Sequence, residues 1–405
     1  MFFLVLLIAL PALTILWWFA ADRAVRGRRG ARVAVALFTA SLLAMLALLF
    51  TIRGAGLPMM LPKLILAPTY LWYLLVLPMT VIAMAVGYGT AVVIRVAKKF
   101  SRPRETVIPE NAEPNNAAMM SRRELLRATV AVAPPLLLLG ATGRAIADVD
   151  DFDIRTLDLP VVDLPPVLDG LTITHLSDVH VGRFTNGKTL SAIVEAVNGL
   201  NSEAVVFTGD LIDYAMRDLP EGIAMLKDIV APGGIYFCEG NHDLFEDRAG
   251  FERAMFKAQN VNFLLNEAAV STIRGSAIQW MGLQWGGARG SRGEALAANF
   301  EAMMKNSPIA SDAFPILLAH HPHALDVARG AKIPLTLAGH THGGQLMLTR
   351  GVGAGPMMWK YWSGIYRSGA ATTFINNGAG NWFPLRINAP AEVVQLRLRR
   401  ENRNA

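Results

Sequence analysis

Two hydrophobic patterns divide the chain. In its first third, apolar residues run in long blocks, and stretches 1–21, 33–52 and 64–94 contain no charged side chain. A bilayer core of ~30 Å takes ~20 helical residues at ~1.5 Å each, so each block predicts a membrane-spanning helix. The third block holds Pro68 and Pro78 and predicts a tilted or kinked span. A further uncharged run, 128–143, has the length of a signal-type apolar core. It follows Ser121-Arg122-Arg123-Glu124-Leu125-Leu126-Arg127 and precedes Ala145-Ile146-Ala147. Segment 121–147 therefore reads as a twin-arginine-like export signal or as a fourth membrane segment. Residues 101–120, rich in Pro and Asn, read as a linker.

From residue 148 the blocks give way to short apolar runs that end in polar clusters. Run 171–176 ends at Ser177-Asp178-Val179-His180, and 204–207 at Thr208-Gly209-Asp210-Leu211-Ile212-Asp213. Run 234–238 leads to Glu239-Gly240-Asn241-His242-Asp243, 314–318 to Ala319-His320-His321-Pro322, and 335–338 to Gly339-His340-Thr341-His342-Gly343-Gly344-Gln345. With helix-like stretches 190–200 and 221–229 between them, and further runs at 277–285, 372–375 and 393–398, these read as buried strands of an α/β domain covering 148–405. Each polar cluster then lies at a strand's C-terminal end, where open α/β sheets bind ligands.

Composition agrees with the division. With 53% hydrophobic residues and mean hydropathy +0.35, the 405-residue chain is too apolar for an ordinary soluble enzyme. Residues 1–147 carry 16 Lys and Arg against 5 Asp and Glu, whereas 148–405 carry 22 against 27. The basic excess thus flanks the apolar blocks, and no nucleic-acid partner is expected. Arg23, Arg26, Arg28, Arg29 and Arg32 separate the first two blocks, against Arg53 and Lys63 between the next two. The Arg-rich loop is expected in the cytoplasm, and either reading of 121–147 sends the following domain out of it. One cysteine, Cys238, excludes an intrachain disulfide and a thiolate metal cluster.

Seven of the eight histidines lie in four of the polar clusters: His180, His242, His320, His321, His323, His340 and His342. Imidazole, carboxylate and amide donors without thiolates suit Mn, Fe or Zn. Asp178 and His180 alternate on an extended segment and can clamp one ion. Two neighbouring cations need a shared anionic ligand, and Asp210 is the natural bridge. His175, inside a strand, reads as a core residue, and Asp213 as a supporting or helix-capping carboxylate.

The ordered motifs D-x-H, G-D-x-x-D, G-N-H-D, H and G-H-x-H, ending in Gly339-His340-Thr341-His342-Gly343-Gly344-Gln345, resemble the calcineurin-like metallophosphoesterase superfamily and its membrane-associated bacterial branch. The resemblance covers about residues 150–400. It implies a four-layer α/β/β/α sandwich, here preceded by an α-helical transmembrane region, and two divalent metal ions. It also implies that Asp178, His180, Asp210 and His342 hold one ion, and Asp210, Asn241, His320 and His340 the other. His242 would bind a phosphate oxygen or protonate the leaving group, with Asp243 orienting its ring. His321 and His323 depart from the family's commoner Asn and Asp.

The implied activity is hydrolysis of a phosphodiester, phosphomonoester or pyrophosphate by a metal-activated hydroxide. The substrate would be a phosphorylated small molecule or lipid, in a chain held at a bacterial inner membrane with its catalytic domain extracytoplasmic. A lipid pyrophosphatase of the UDP-2,3-diacylglucosamine type is one alternative. A membrane sensor that holds a phosphorylated ligand at the metal site is another. The run 357–362, Met-Met-Trp-Lys-Tyr-Trp, reads as a packed loop or as an interfacial segment through Trp359 and Trp362.

Overall fold

The computed structural model describes residues 2–54, 61–100, 122–286, 292–345, 347–353 and 355–401, so the expected linker 101–120 lies outside the described residues. The chain forms two compact units, Met1–Ile146 and Ala147–Ala405.

The first unit is helical: α1 (Phe2–Ala24), α2 (Arg29–Gly54), α3 (Lys63–Leu71), α4 (Leu77–Phe100) and α5 (Arg122–Asp148). Among the described residues, Arg29–Ile52, Lys63–Ala97 and Thr129–Asp148 are long and apolar enough to cross a membrane. Proline explains two local features. Pro78 lacks an N–H and crowds the carbonyl four residues back, and α3 joins α4 through the π-helical turn Trp72–Val76 just ahead of it. Pro134 likewise leaves the Val130 carbonyl without its helical donor, and Trp17 Nε1 donates to that oxygen at 3.1 Å. Trp17, Phe38 and Trp72 meet edge to face at 5.0–5.7 Å and lock α1, α2 and the π turn together. α5 runs unbroken to Asp148 with Ala145-Ile146-Ala147 inside it.

The second unit carries fourteen strands among its described residues. They are β1 (Phe152–Val162), β2 (Thr172–Leu176), β3 (Ala204–Thr208), β4 (Ile235–Cys238), β5 (Val261–Phe263), β6 (Glu267–Ile273), β7 (Ser276–Leu283), β8 (Ala313–Ala319), β9 (Leu335–Ala338), β10 (Met347–Thr349), β11 (Val352–Gly353), β12 (Gly364–Ser368), β13 (Ala371–Ile375) and β14 (Ala391–Glu401). Its helices are α6 (Lys188–Gly199), α7 (Leu219–Asp228), α8 (Arg248–Phe256), α9 (Arg292–Asn306) and α10 (Ala324–Gly330). One sheet runs β1-β14-β2-β3-β4-β5 and the other β12-β13-β9-β8-β7-β6, with β10 and β11 as a separate hairpin.

Strand alternation builds the layers. On β3, Ala204 and Val206 face the other sheet while Val205 and Phe207 face helices; on β8, Ile316 and Leu318 face inward and Leu317 outward. The inter-sheet core is sealed by Tyr236 stacked on Trp280, with ring centroids 4.3 Å apart. α6, α7 and α8 cover the first sheet, and α9 and α10 the second. The result is the expected four-layer α/β/β/α sandwich. The runs predicted as strands all form. β1, β5, β6 and β12 and the hairpin were not expected, and β1 is the longest miss, pairing in parallel with β14 across the whole unit.

Candidate metal centre

The polar clusters all fall where the parallel strands end. Asp178 and His180 follow β2, Asp210 follows β3, Asn241 and His242 follow β4, His320 follows β8, and His340 and His342 follow β9. Both sheets therefore contribute, and backbone bonds set the spacing: Asp178 N donates to Gly209 O at 2.9 Å, and Gly339 N to His320 O at 3.2 Å. Asp178, His180, Asp210, His340 and His342 all have positive φ, between 50° and 74°. Non-glycine residues adopt this region at a cost, and such strain gathers at functional sites. The tight crossing also requires glycines. A Cβ on Gly339 would collide with Ser177 Oγ and the Asp178 carboxylate, and one on Gly240 would collide with Asp210.

The side chains converge in two groups, which a third made of His180, Asp210 and His242 overlaps. Asp178, His180 and His342 form one and Asp210, His320 and His340 the other, with donor atoms in each within 4.8 Å of one another. The Asp210 carboxylate lies between them: Oδ2 is 3.1 Å from His320 Nε2 and 3.6 Å from His180 Nε2, while Oδ1 accepts from His242 N at 2.7 Å. Asn241 Oδ1 lies 3.2 Å from His320 Nε2, and His340 Nδ1 also lies 3.2 Å from that nitrogen. His180 Nε2 and His342 Nε2 are 2.9 Å apart. All seven residues expected to hold metal thus come together.

The donor chemistry fits cations. Asp178 Oδ2 is taken by Ser177 Oγ and His340 N, yet its Oδ1 is buried with no hydrogen-bond partner and faces His342 Nε2 at 3.3 Å and His180 Nε2 at 3.8 Å. A buried carboxylate oxygen left bare among imidazole nitrogens is costly unless a cation occupies the space between them.

Residues 171–344 match the family model for calcineurin-like phosphoesterases. This part of the chain belongs to the calcineurin-like phosphoesterase superfamily. The chain is similar to a bovine transmembrane protein with a metallophosphoesterase domain, at 30% identity over 60% of this chain and 56% of that one. It is also similar to the uncharacterized metallophosphoesterase YkuE of Bacillus subtilis, at 28% identity over 70% of this chain and 99% of that one. Phosphodiesterase YaeI of Escherichia coli matches at 25% identity over 56% of this chain and 81% of that one. The chain thus spans little more than half of the bovine protein's length.

The surroundings of the phosphoesterase centre revise one expectation. Asp243 does not orient His242: its carboxylate accepts from the backbone N–H groups of Asp210, Gly240 and Ile212 at 2.9–3.1 Å and fastens the β3 and β4 loops together. The partner of His242 Nδ1 is Asp213, through its carbonyl at 2.6 Å and its carboxylate at 3.6 Å. The G-N-H-D motif therefore spends its last residue on the loop, because three convergent N–H groups reach Asp243 first. Burial opposes a charge on His242, but Asp210 and Asp213 outweigh it and raise the group to about 9. Burial and the Asp210 charge lift Asp243 to about 7. His175 is a core residue, as expected: it is fully buried, 2.9 Å from Thr208 Oγ1, and held neutral by burial at about 3.

Sequence reasoning missed Arg386. Its guanidinium reaches His342 Nδ1 at 2.8 Å, Asn381 Oδ1 at 2.6 Å and the Asn377 carbonyl at 2.7 Å, which ties segment 377–389 to a proposed metal ligand. Burial draws it down to about 10, so it remains charged at neutral pH. Only its isolation within apolar sequence, Pro384-Leu385-Arg386-Ile387, marked it. Aromatic rings stand at the rim. Phe245 lies 4.6 Å and Trp382 6.1 Å from His242, and Trp285 lies 5.0 Å from His340. His321 and His323 pack on each other and on Trp285 and Tyr361.

Proposed function

We propose that this chain is a membrane-associated, dinuclear-metal phosphoesterase, with phosphodiesters as its preferred substrate class. The observation that carries the reading is the Asp210 carboxylate set between two groups of imidazole and carboxylate donors. In this reading Asp178, His180, Asp210 and His342 hold one ion, and Asp210, Asn241, His320 and His340 the other. Mn, Fe or Zn suits the mixed donors. Such ions supply a nucleophile from water at neutral pH and offset charge on the phosphoryl oxygens. His242, protonated below about 9, donates its proton to the leaving oxygen while Asp213 holds its ring in place. Asp243 and Gly240 keep His242 at that distance by fixing the loop.

The preference for diesters draws on the likeness to a protein named a phosphodiesterase, and the membrane association on the three candidate spans. Thr129–Asp148, the last of these three, is read as a membrane segment and not an export signal, because its 20 residues of α5 are long and apolar enough to cross. The arginine distribution supports a catalytic unit outside the cytoplasm of a bacterial inner membrane. The test is hydrolysis of matched aryl mono- and diesters by the purified chain, stripped of metal and resupplied with Mn, Fe, Zn or Mg. Activity restored by metal and lost in Asp210→Asn is expected. Full activity of Asp210→Asn would refute the reading.

A further inference from the structure

The catalytic unit displays an apolar edge that the chemistry of the site does not use. Leu348 (78% exposed) and Val352 (55%) project from the β10–β11 hairpin, and Met357 (88%) and Met358 (62%) from the turn that follows. Ile387 adds a fifth exposed apolar side chain. Trp362 is buried with Met347 and Ala389, in line with the packed-loop reading of 357–362. Other exposed apolar side chains of this unit, such as Val230, Phe256 and Val270, sit on separate elements.

Two sets of contacts locate this edge. The first ties it to the metal centre: Met347 N donates to Ile387 O and Ile387 N to Gln345 O, both at 2.8 Å, just beyond His342 and Arg386. Asn388 Nδ2 holds the Leu348 carbonyl at 2.9 Å. The second ties it to the point where the chain enters the unit. Arg350, in the hairpin turn, pairs with Asp153 at the start of β1 and with Glu392 Oε2 at 2.9 Å. The Val149 carbonyl accepts from Asn381 Nδ2 at 2.8 Å, and Asn381 Oδ1 accepts from Arg386. Asp148 is the last residue of a candidate membrane span, and three residues, at most ~11 Å of chain, separate it from β1.

We propose that Leu348, Val352, Met357 and Met358 dock into the surface of a lipid bilayer and hold the mouth of the metal centre against it. A bilayer is the partner because the chain arrives from a membrane span at the same edge that carries both the apolar side chains and the metal loop. Exposed Leu, Val and Met side chains gain by entering the headgroup and acyl boundary, and the covalent tether removes most of the cost of bringing them there. The consequence for substrate, a phosphoester presented from the bilayer, rests on the phosphoesterase reading above.

The test uses the full chain in vesicles of phosphatidylethanolamine and phosphatidylglycerol, with an environment-sensitive fluorophore on Leu348→Cys, Met357→Cys or a control at the opposite strand ends, Asp312→Cys. Cys238 is buried and stays unlabelled. Shallow brominated lipids should quench the first two labels at least about twofold more than the control. Equal quenching at all three positions overturns the docking, and so does protection of the first two labels that persists in detergent and grows with protein concentration, the mark of a second copy. In a second arm, Leu348→Asp/Met357→Asp should lower hydrolysis of a lipid phosphodiester in vesicles about tenfold while leaving a soluble aryl diester within about twofold. An equal loss on both substrates counts against docking. Wild-type chain that quenches as expected but hydrolyses neither substrate upholds the docking and removes the phosphoesterase reading.

Discussion

The two halves of the proposed metal centre share Asp210 but are built differently. The half around His180 and His342 has a second carboxylate, Asp178, whereas the half around His320 and His340 has the neutral amide of Asn241 instead. Their outer contacts differ as well. His320 Nδ1 donates to the Thr208 carbonyl at 2.6 Å, and although burial opposes a charge, Asp210 and Asp178 raise the ring to about 9, so without a cation Nε2 carries a proton toward Asp210 Oδ2. His342 Nδ1 receives a proton bond from Arg386, because a guanidinium only donates, so the neutral His342 ring carries its proton on the inward Nε2. An ion in the first half would need the His342 proton turned away from Nε2 and would gain an extra negative charge from Asp178. An ion in the second half would displace the proton of His320 and would meet less negative charge. The comparison teaches that two adjacent sites can be loaded unequally by their supporting contacts as much as by their ligands.

The largest change comes from removing what the halves share. Asp210→Asn should lower kcat at least about 10³-fold, roughly 4 kcal/mol, and reduce bound metal, read by elemental analysis beside rates. Next is the proton donor: His242→Ala should cost about 10²–10⁴-fold in kcat and leave metal content unchanged. In the wild type, activity that needs protonated His242 is retained at low pH and lost as pH rises through its value. That value stands at about 9 before the cations lower it, so the descending limb of kcat lies at or below about 9 and should vanish in the variant.

Asp178→Asn and Asn241→Ala then separate the halves. The first should weaken the His180/His342 ion by the greater factor, since it removes a charge, and the second only the His320/His340 ion; stepwise calorimetric titration resolves both. Arg386→Met should lower affinity in the His342 half about tenfold and spare the other, because the ring loses its anchor. The smallest difference is in proton release: loading the second half should release the His320 proton and loading the first half fewer, because His180 and His342 are already neutral, measured from binding enthalpies in buffers of different ionisation heat.

The ligands were legible because each motif sits within a few residues of one strand end, so spacing and strand direction suffice to place it. Supporting contacts were not, because they come from far along the chain. Arg386 meets His342 across 44 residues, and Asp213, read as a supporting carboxylate, could not be assigned to His242 across 29 residues without the fold. β1 escaped notice because it is an edge strand with five of its eleven residues exposed or half-exposed before its first buried position, Leu159, and its partner β14 lies more than 200 residues away. Of the two readings of 357–362, packed loop or interfacial segment, Trp362 follows the first, packed with Met347 and Ala389, while Leu348 of the hairpin and Met357 after it are exposed.

The most direct test of the shared carboxylate is metal stoichiometry of the full chain titrated with Mn²⁺, wild type against Asp210→Asn. The account predicts about two ions per wild-type chain, bound in two unequal steps, with both steps weakened and hydrolysis lost in the variant. A single step of one ion in the wild type, or two unaltered steps in Asp210→Asn, would contradict it.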